Sequence, residues 1–390
     1  MEIHSSRYYK LKERDDFVFM KWSIRDLLNP VTTRSLLFGT NPFDLEFILK
    51  KVDAVKVKSG KHIQSLWLGE WAQKIERYTT LAEQAEKKNN IISARAYYRL
   101  AMQCHYACFM INTDDIDKKV EIYTGLLESY RKYISACPNR IDYIEIDTEY
   151  GKMPAYLHYP DDGSKGKYPL VVTYSGLGSC KEELEMLAEP LNERGAAVLC
   201  VDMPGAGASN IWNGLKCCGP HIEAAFDGIS RWIDSREDID SDNVADFGLC
   251  MGGGYAFRAA VKRPKTKCCV TLFPLLIGVA DMDSIPIWMK RGKWASSQYG
   301  DDFLNSMNVL LEGSLESDYL LVYSPDDNWM DTDASMRLYD RATGLREKIF
   351  VDEKPAYVSE ETIMHAMPVG EQFHWVKHIA ADFIAERILK

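Results

Sequence analysis

No run of apolar residues in this chain is long enough to cross a bilayer, which needs about 20 in succession. The opening residues, Met1-Glu2-Ile3-His4-Ser5-Ser6, lack the apolar core of a signal peptide. No Cys-x-x-Cys pair occurs, and Cys217-Cys218 and Cys268-Cys269 are directly adjacent, so neither a zinc-knuckle nor a thioredoxin-type spacing is present. Ten cysteines in 390 residues do not make a disulfide framework, and a reducing cytoplasm is the expected location. Excess positive charge is missing as well. A formal net charge of -10 and a pI near 5.4 argue against nucleic acid or an anionic membrane as partner. Gly/Ser linkers, tandem repeats and low-complexity tracts are also absent. What remains, with 46% hydrophobic residues, suits one large domain and a smaller one.

Two kinds of pattern divide the chain. Residues 1 to about 65 carry apolar clusters, Phe17-Val18-Phe19-Met20 and Leu36-Leu37-Phe38, that read as short helices. From Leu66 the three-and-four spacing of helices is clear in Trp67, Trp71, Ile75 and Tyr78. It continues in Ala94, Tyr97, Tyr98, Ala101, His105 and Cys108, and again in Ile122, Leu126, Leu127, Tyr130 and Ile134, until Cys137-Pro138-Asn139 stops it. At Ile141 the period changes to two. Ile141 to Asp147 and Met153 to Tyr159 predict a hairpin about Tyr150-Gly151. Further strands are expected at Pro169 to Tyr174, Ala196 to Val201, Val244 to Phe247, Cys268 to Phe273, Tyr319 to Tyr323 and Lys348 to Val351. Helices are expected between them at Lys181 to Arg194, Ile222 to Ser235, Met251 to Lys262 and Thr332 to Thr343, with Glu371 to Leu389 last. Such alternation specifies an α/β fold, a mostly parallel eight-stranded sheet covered on both faces.

One stretch joins a strand to a helix in a way that carries chemistry. Gly248-Leu249-Cys250-Met251-Gly252-Gly253 has the form of a nucleophile elbow with sulfur in place of the usual serine oxygen. A sharp turn there strains the nucleophile's backbone, and a Cβ on Gly248 or Gly252 would strike the adjoining strand and helix. The bland reading is a glycine-rich turn around a buried structural cysteine. A thiol nucleophile needs a base, and the base an orienting acid, in the chain order nucleophile, acid, histidine. After the strand at Tyr319 to Tyr323 come Asp326 and Asp327; the spacing favours Asp327, with Asp326 the alternative. The base is His365, in the loop Ile363 to Pro368 ahead of the last helix. His374 and His378 stand four apart inside that helix, but no third ligand accompanies them, so no metal is expected. An oxyanion hole needs two backbone N–H groups. Met251 supplies one, and Leu177 in Ser175-Gly176-Leu177-Gly178 is the candidate for the other.

With these pieces placed, the chain resembles the FrsA-like α/β-hydrolases, a family that includes 2,6-dihydroxypseudooxynicotine hydrolase and fungal polyketide-shortening hydrolases. The resemblance rests on Ala94-Arg95-Ala96-Tyr97-Tyr98-Arg99-Leu100-Ala101, on Pro169 to Val172 leading into Gly176-Leu177-Gly178, on Asp202-Met203-Pro204-Gly205-Ala206-Gly207-Ala208-Ser209, on the elbow, and on His365. It implies a helical cap domain over residues 1–139, an α/β-hydrolase catalytic domain over 140–390, a small-molecule acyl substrate between them, no cofactor, and a homodimer. Relatives usually carry serine at the elbow; cysteine there resembles dienelactone hydrolase and the aminoacyltransferases of nonribosomal peptide assembly. Hydrolysis of an ester, thioester or C–C bond is therefore expected. Transfer from an acyl or peptidyl carrier protein is the alternative, and a non-catalytic scaffold the third reading. Lys290-Arg291-Gly292-Lys293 would be a basic patch for such a carrier, or a solvated face.

Overall fold

The computed structural model describes residues 24–55, 60–111, 115–160, 166–176, 178–274, 313–324, 332–351 and 371–389. The chain passes from one compact unit to a second between Pro138 and Asn139.

The described part of the first unit is helical: α1 (Ile24–Leu37), α2 (Pro42–Asp53), α3 (Gly60–Lys87), α4 (Ile91–Ile111) and α5 (Ile116–Ile134). Asn41 starts α2 by accepting from the N–H groups of Phe43 and Asp44, with Pro42 where a missing N–H costs nothing. The three-and-four spacing places Trp67, Trp71, Ala101, Leu126 and Tyr130 out of solvent, and Tyr106 and Tyr123 join them. Trp67 donates its indole N–H to the Ala107 carbonyl at 3.0 Å, which binds α3 to α4. Residues 24–55 form two full helices where the apolar clusters suggested only short ones. The Phe17 to Met20 cluster lies outside the described residues.

The second unit contains one eight-stranded sheet. Its strands are β1 (Ile141–Thr148), β2 (Gly151–His158), β3 (Tyr168–Tyr174), β4 (Ala197–Val201), β5 (Ile239–Leu249), β6 (Cys268–Leu272), β7 (Asp318–Tyr323) and β8 (Arg346–Phe350), in the order β1-β2-β4-β3-β5-β6-β7-β8. The first two form the expected antiparallel hairpin, β2 also runs antiparallel to β4, and every pairing from β4 to β8 is parallel. The helices are α6 (Glu185–Asn192), α7 (Gly207–Ile211), α8 (Gly219–Ser235), α9 (Met251–Lys262), α10 (Thr332–Arg341) and α11 (Glu371–Ile388). Helix α9 packs on β3, β5 and β6, while α11 packs on β5, β6 and β7 and touches α6. Strands β4 and β6 are buried throughout and β3 from Leu170 onward, as a sheet covered on both faces requires.

Three elements differ from expectation. Strand β5 begins at Ile239 rather than Val244, because Tyr168 and Pro169 pair with Ile239 and Asp240 before a register shift resumes pairing at Leu170 and Val244. The helix expected from Lys181 opens instead as a 3-10 turn, Lys181–Leu184, and becomes α-helical only at Glu185. Helix α7, one short turn after β4, had no apolar period by which to be foreseen.

Register decides where the chemistry can sit. Val201 pairs with Tyr174, Tyr174 with Gly248, Leu249 with Leu272, and Leu272 with Val322. The ends of β4, β3, β5, β6 and β7 therefore stand in one row along a single edge of the sheet.

Candidate active site

At that edge β5 turns into α9 through one residue. Cys250 has φ 57° and ψ -125°, a backbone region that a side chain with a Cβ rarely occupies. Its N–H donates to the Leu272 carbonyl at 2.9 Å, and its carbonyl accepts from Gly253 at 2.8 Å, so the turn is tied to both the neighbouring strand and the helix. The adjacent glycines are sterically required. A Cβ on Gly248 would lie under 3.0 Å from the Gly252 carbonyl, and one on Gly252 under 3.0 Å from the Tyr174 and Ser175 carbonyls. The elbow anticipated from the sequence is thus the local geometry observed.

Cys250 is 7% exposed, the least enclosed of the nine buried cysteines, whereas Cys180, Cys200, Cys217, Cys268 and Cys269 have no exposure. Burial, with the nearby Asp246 carboxylate adding to it, pushes the Cys268 and Cys269 thiols up, far from an ionisable range. Met251, directly after Cys250, opens α9, where first-turn N–H groups have no intrahelical acceptor and the helix dipole favours negative charge. An anionic oxygen near Met251 would meet both effects.

The loop after β3 lies against this turn. The close approach of Gly252 to the Tyr174 and Ser175 carbonyls sets its start, and Gly178 takes φ 72° within it. Ser175 is 3% exposed, and its hydroxyl has no hydrogen-bond partner among the described residues. Among the candidates named from sequence, Cys250 and Met251 are adjacent at the elbow. Leu177, Asp326, Asp327 and His365 lie outside the described residues, as does Lys290 to Lys293. The strand that leads to Asp326 and Asp327 is β7, one strand beyond β6 at the same edge, and the helix that follows His365 is α11.

Sequence reasoning missed one arrangement altogether. Lys181-Glu182-Glu183 reads as the solvated start of a helix, yet Lys181 is 1% exposed and Glu182 and Asp202 have no exposure. The Lys181 ammonium lies 2.7 Å from Glu182 and 3.0 Å from Asp202. Burial pulls the lysine pKa down, but Asp202 and Glu182 overcome it and hold the ammonium charged; burial pushes the Glu182 carboxyl up. The signal that could have found it is Asp202-x-Pro-Gly-x-Gly. Gly207 takes φ 37°, and a Cβ there would lie under 3.0 Å from the Asp202 carboxylate, so this turn is wrapped around a buried acid.

Comparison with known proteins agrees with this geometry. The family described as esterase FrsA-like matches residues 58–284, more than half of the chain. The α/β hydrolase pydG of Acremonium sp is 28% identical over 219 residues, which cover 53% of this chain and 51% of that protein. The 20-hydroxy-prefusarin hydrolase FUS2 of Gibberella moniliformis is 27% identical over 280 residues, 69% of this chain and 66% of that protein. The chain thus spans about half the length of pydG. Among solved structures, 2,6-dihydroxy-pseudo-oxynicotine hydrolase superposes with a TM-score of 0.72 at 17% identity, over 91% of this chain and 95% of that one. The fold is that of the α/β-hydrolases. No helix among the described residues is long and apolar enough to cross a membrane.

Proposed function

The chain belongs to the esterase FrsA-like family, and from that premise we propose an enzyme that forms a thioester acyl-enzyme on Cys250 and then hydrolyses it. The substrate class is a small molecule carrying an ester, a thioester or a cleavable C–C bond next to a carbonyl. One observation carries the reading: a cysteine held at φ 57° between β5 and α9, where only steric necessity explains the flanking glycines.

In this scheme His365 takes the thiol proton as Sγ attacks the substrate carbonyl. The oxygen that gains charge is met by the Met251 N–H and by a second donor from the loop after β3, for which Leu177 is the candidate. Collapse expels the leaving group, which takes its proton from His365, and leaves the thioester. Water then attacks with His365 as base, and the free acid departs as Sγ regains its proton. Asp327 would orient His365, with Asp326 the rival for that role. A thiol beside an imidazole can rest as an ion pair, so it depends on the acid less than serine would.

The cysteine also favours a second reading. Exchange between thioesters is nearly isoenergetic, so Cys250 suits passage of an acyl group from a carrier-protein thiol to another thiol or an amine. Intact-mass measurement after mixing with an activated acyl thioester separates the outcomes. Addition of one acyl mass to Cys250, followed by release of free acid, is the expected result. An adduct that persists until a thiol or amine is supplied means transfer, and no adduct on Cys250 overturns both readings.

A further inference from the structure

The loop that begins at Ser175 is anchored at its far end by charge. The Lys181 backbone N–H donates to Asp202 Oδ1 at 2.6 Å, and Lys181 Nζ donates to Asp202 Oδ2 at 3.0 Å. Asp202 Oδ2 also accepts from the Ala208 N–H at 2.9 Å, and the Ser179 carbonyl accepts from Gly207 at 2.9 Å. The acid's own backbone is tied down as well: its N–H donates to the Pro154 carbonyl at 3.0 Å, and its carbonyl accepts from the Ser209 hydroxyl. The face of Tyr156 stands 5.1 Å from the ammonium. One residue, through its carboxylate and its backbone, therefore joins β2, the loop after β3 and the loop after β4.

At its near end the same loop presses on the first turn of α9, through the Tyr174 and Ser175 carbonyls against Gly252. Only five residues lie between Ser175 and Lys181, so the anchor sets how the loop crosses the elbow. A fully buried charged pair is a poor way to gain stability, because desolvation offsets most of its attraction, but it defines one arrangement. A row of apolar side chains would bury more easily and would leave the backbone N–H groups of Lys181 and Ala208 unpaired.

We propose that Lys181 and Asp202 are positioning residues that hold the loop after β3 in register with the first turn of α9, so that its backbone N–H groups face the oxygen polarised by Met251. They touch neither substrate nor nucleophile. The inference rests on the reading of Cys250 as the acylated nucleophile.

The test compares two reactions of the same sulfur in the full chain. Acylation by p-nitrophenyl acetate develops charge on an oxygen and needs the donors; alkylation by iodoacetamide develops none. Because removal of one partner strands a buried charge, Lys181→Met is examined beside Lys181→Met/Glu182→Gln/Asp202→Asn, which removes the ammonium and both acids it pairs with. For the variant that melts as a folded protein, the acylation rate constant should fall roughly 10- to 100-fold, while alkylation of Cys250 stays within about twofold of the wild type. Unchanged acylation in a folded variant, or acylation and alkylation falling together, overturns the positioning role and leaves the nucleophile standing. Absence of acylation in the wild-type protein overturns the nucleophile and this inference with it.

Discussion

Asp246 and Asp202 are both fully buried in the sheet unit, yet they are paired by different kinds of group. Asp246, within β5, takes two hydrogen bonds from Arg263 at 2.8 and 2.7 Å, one from the Tyr174 hydroxyl at 2.8 Å and one from Thr266 at 3.2 Å. All of these donors are side chains. The acid joins β5, β3 and the residue that ends α9, elements whose backbones are already hydrogen-bonded. Asp202 takes two backbone N–H groups and a lysine, and the backbone it satisfies belongs to loops. The first acid fastens rigid pieces together. The second supplies hydrogen bonds that irregular backbone cannot make for itself, and so shapes the rim where the candidate nucleophile stands. Removing Asp246 should therefore cost stability with little change in chemistry, whereas disturbing Asp202 should change chemistry.

The sharpest break in this comparison lies between the two networks, at the elbow. Cys250→Ala should keep the melting profile and lower acyl-thioester turnover by at least about 10³-fold. Its neighbour should behave in the opposite way. A Cβ at Gly252 would press into the carbonyls of both Tyr174 and Ser175, backbone that cannot move aside without disturbing β3. Gly252→Ala should destabilise the sheet unit by more than about 4 kcal/mol, seen as loss of the cooperative melt. A folded, active Gly252→Ala protein would show that the elbow is looser than its contacts imply.

Next in size comes Asp246→Asn. Leaving the partly buried Arg263 without a charged partner should cost about 3 kcal/mol, measured by denaturant titration, with the acylation rate per folded molecule unchanged. A fall in that rate would mean that Asp246 also aligns the elbow, four residues away in sequence, and the contrast with Asp202 would dissolve. Asp327→Asn is expected to lower turnover by roughly 10-fold, less than a serine triad would lose, because the thiol depends less on its third member. A larger loss from Asp326→Asn would move the orienting role to that residue.

What the sequence made legible follows from how local the causes are. The elbow could be read because glycine at two fixed offsets has one steric reason, and the strands because β3, β4 and β6 are continuous apolar runs. The start of β5 was hidden by Asp240, Asp242 and Asn243, polar residues that a sheet edge tolerates and a pattern does not announce. Lys181 and Glu182 were hidden for a stronger reason. Charged residues in succession are solvated in nearly every chain, and a partner 21 positions away, Asp202, helps to make their burial affordable. That information is in the fold and not in the neighbourhood of Lys181. In the helical unit the causes are local again: the spacing of Trp67, Trp71 and Tyr130 announced their burial, and Asn41-Pro42, a capping residue followed by proline, is a local signal for the start of α2.

The last effect concerns pH, and it isolates a buried histidine. His158 closes β2, is 2% exposed, and its pKa is pulled down to about 4 by burial. In the unfolded chain it would titrate near about 6.5. Between those values the unfolded chain binds more protons than the folded one, so stability rises with pH through the window. The contribution is fully present above pH 6.5 and lost as the pH falls towards 4, a total of about 3 kcal/mol for one site. His105 in the helical unit is pulled down to about 4 by burial too, so the wild-type profile alone does not isolate either ring. Denaturant titrations of wild type and His158→Asn at pH 7 and pH 4.5 do so by difference. The substitution should shrink the acid-induced loss by up to that amount, because asparagine does not titrate. If the loss is unchanged, protonation of the His158 ring does not drive it, and burial at the end of β2 does not hold that ring neutral.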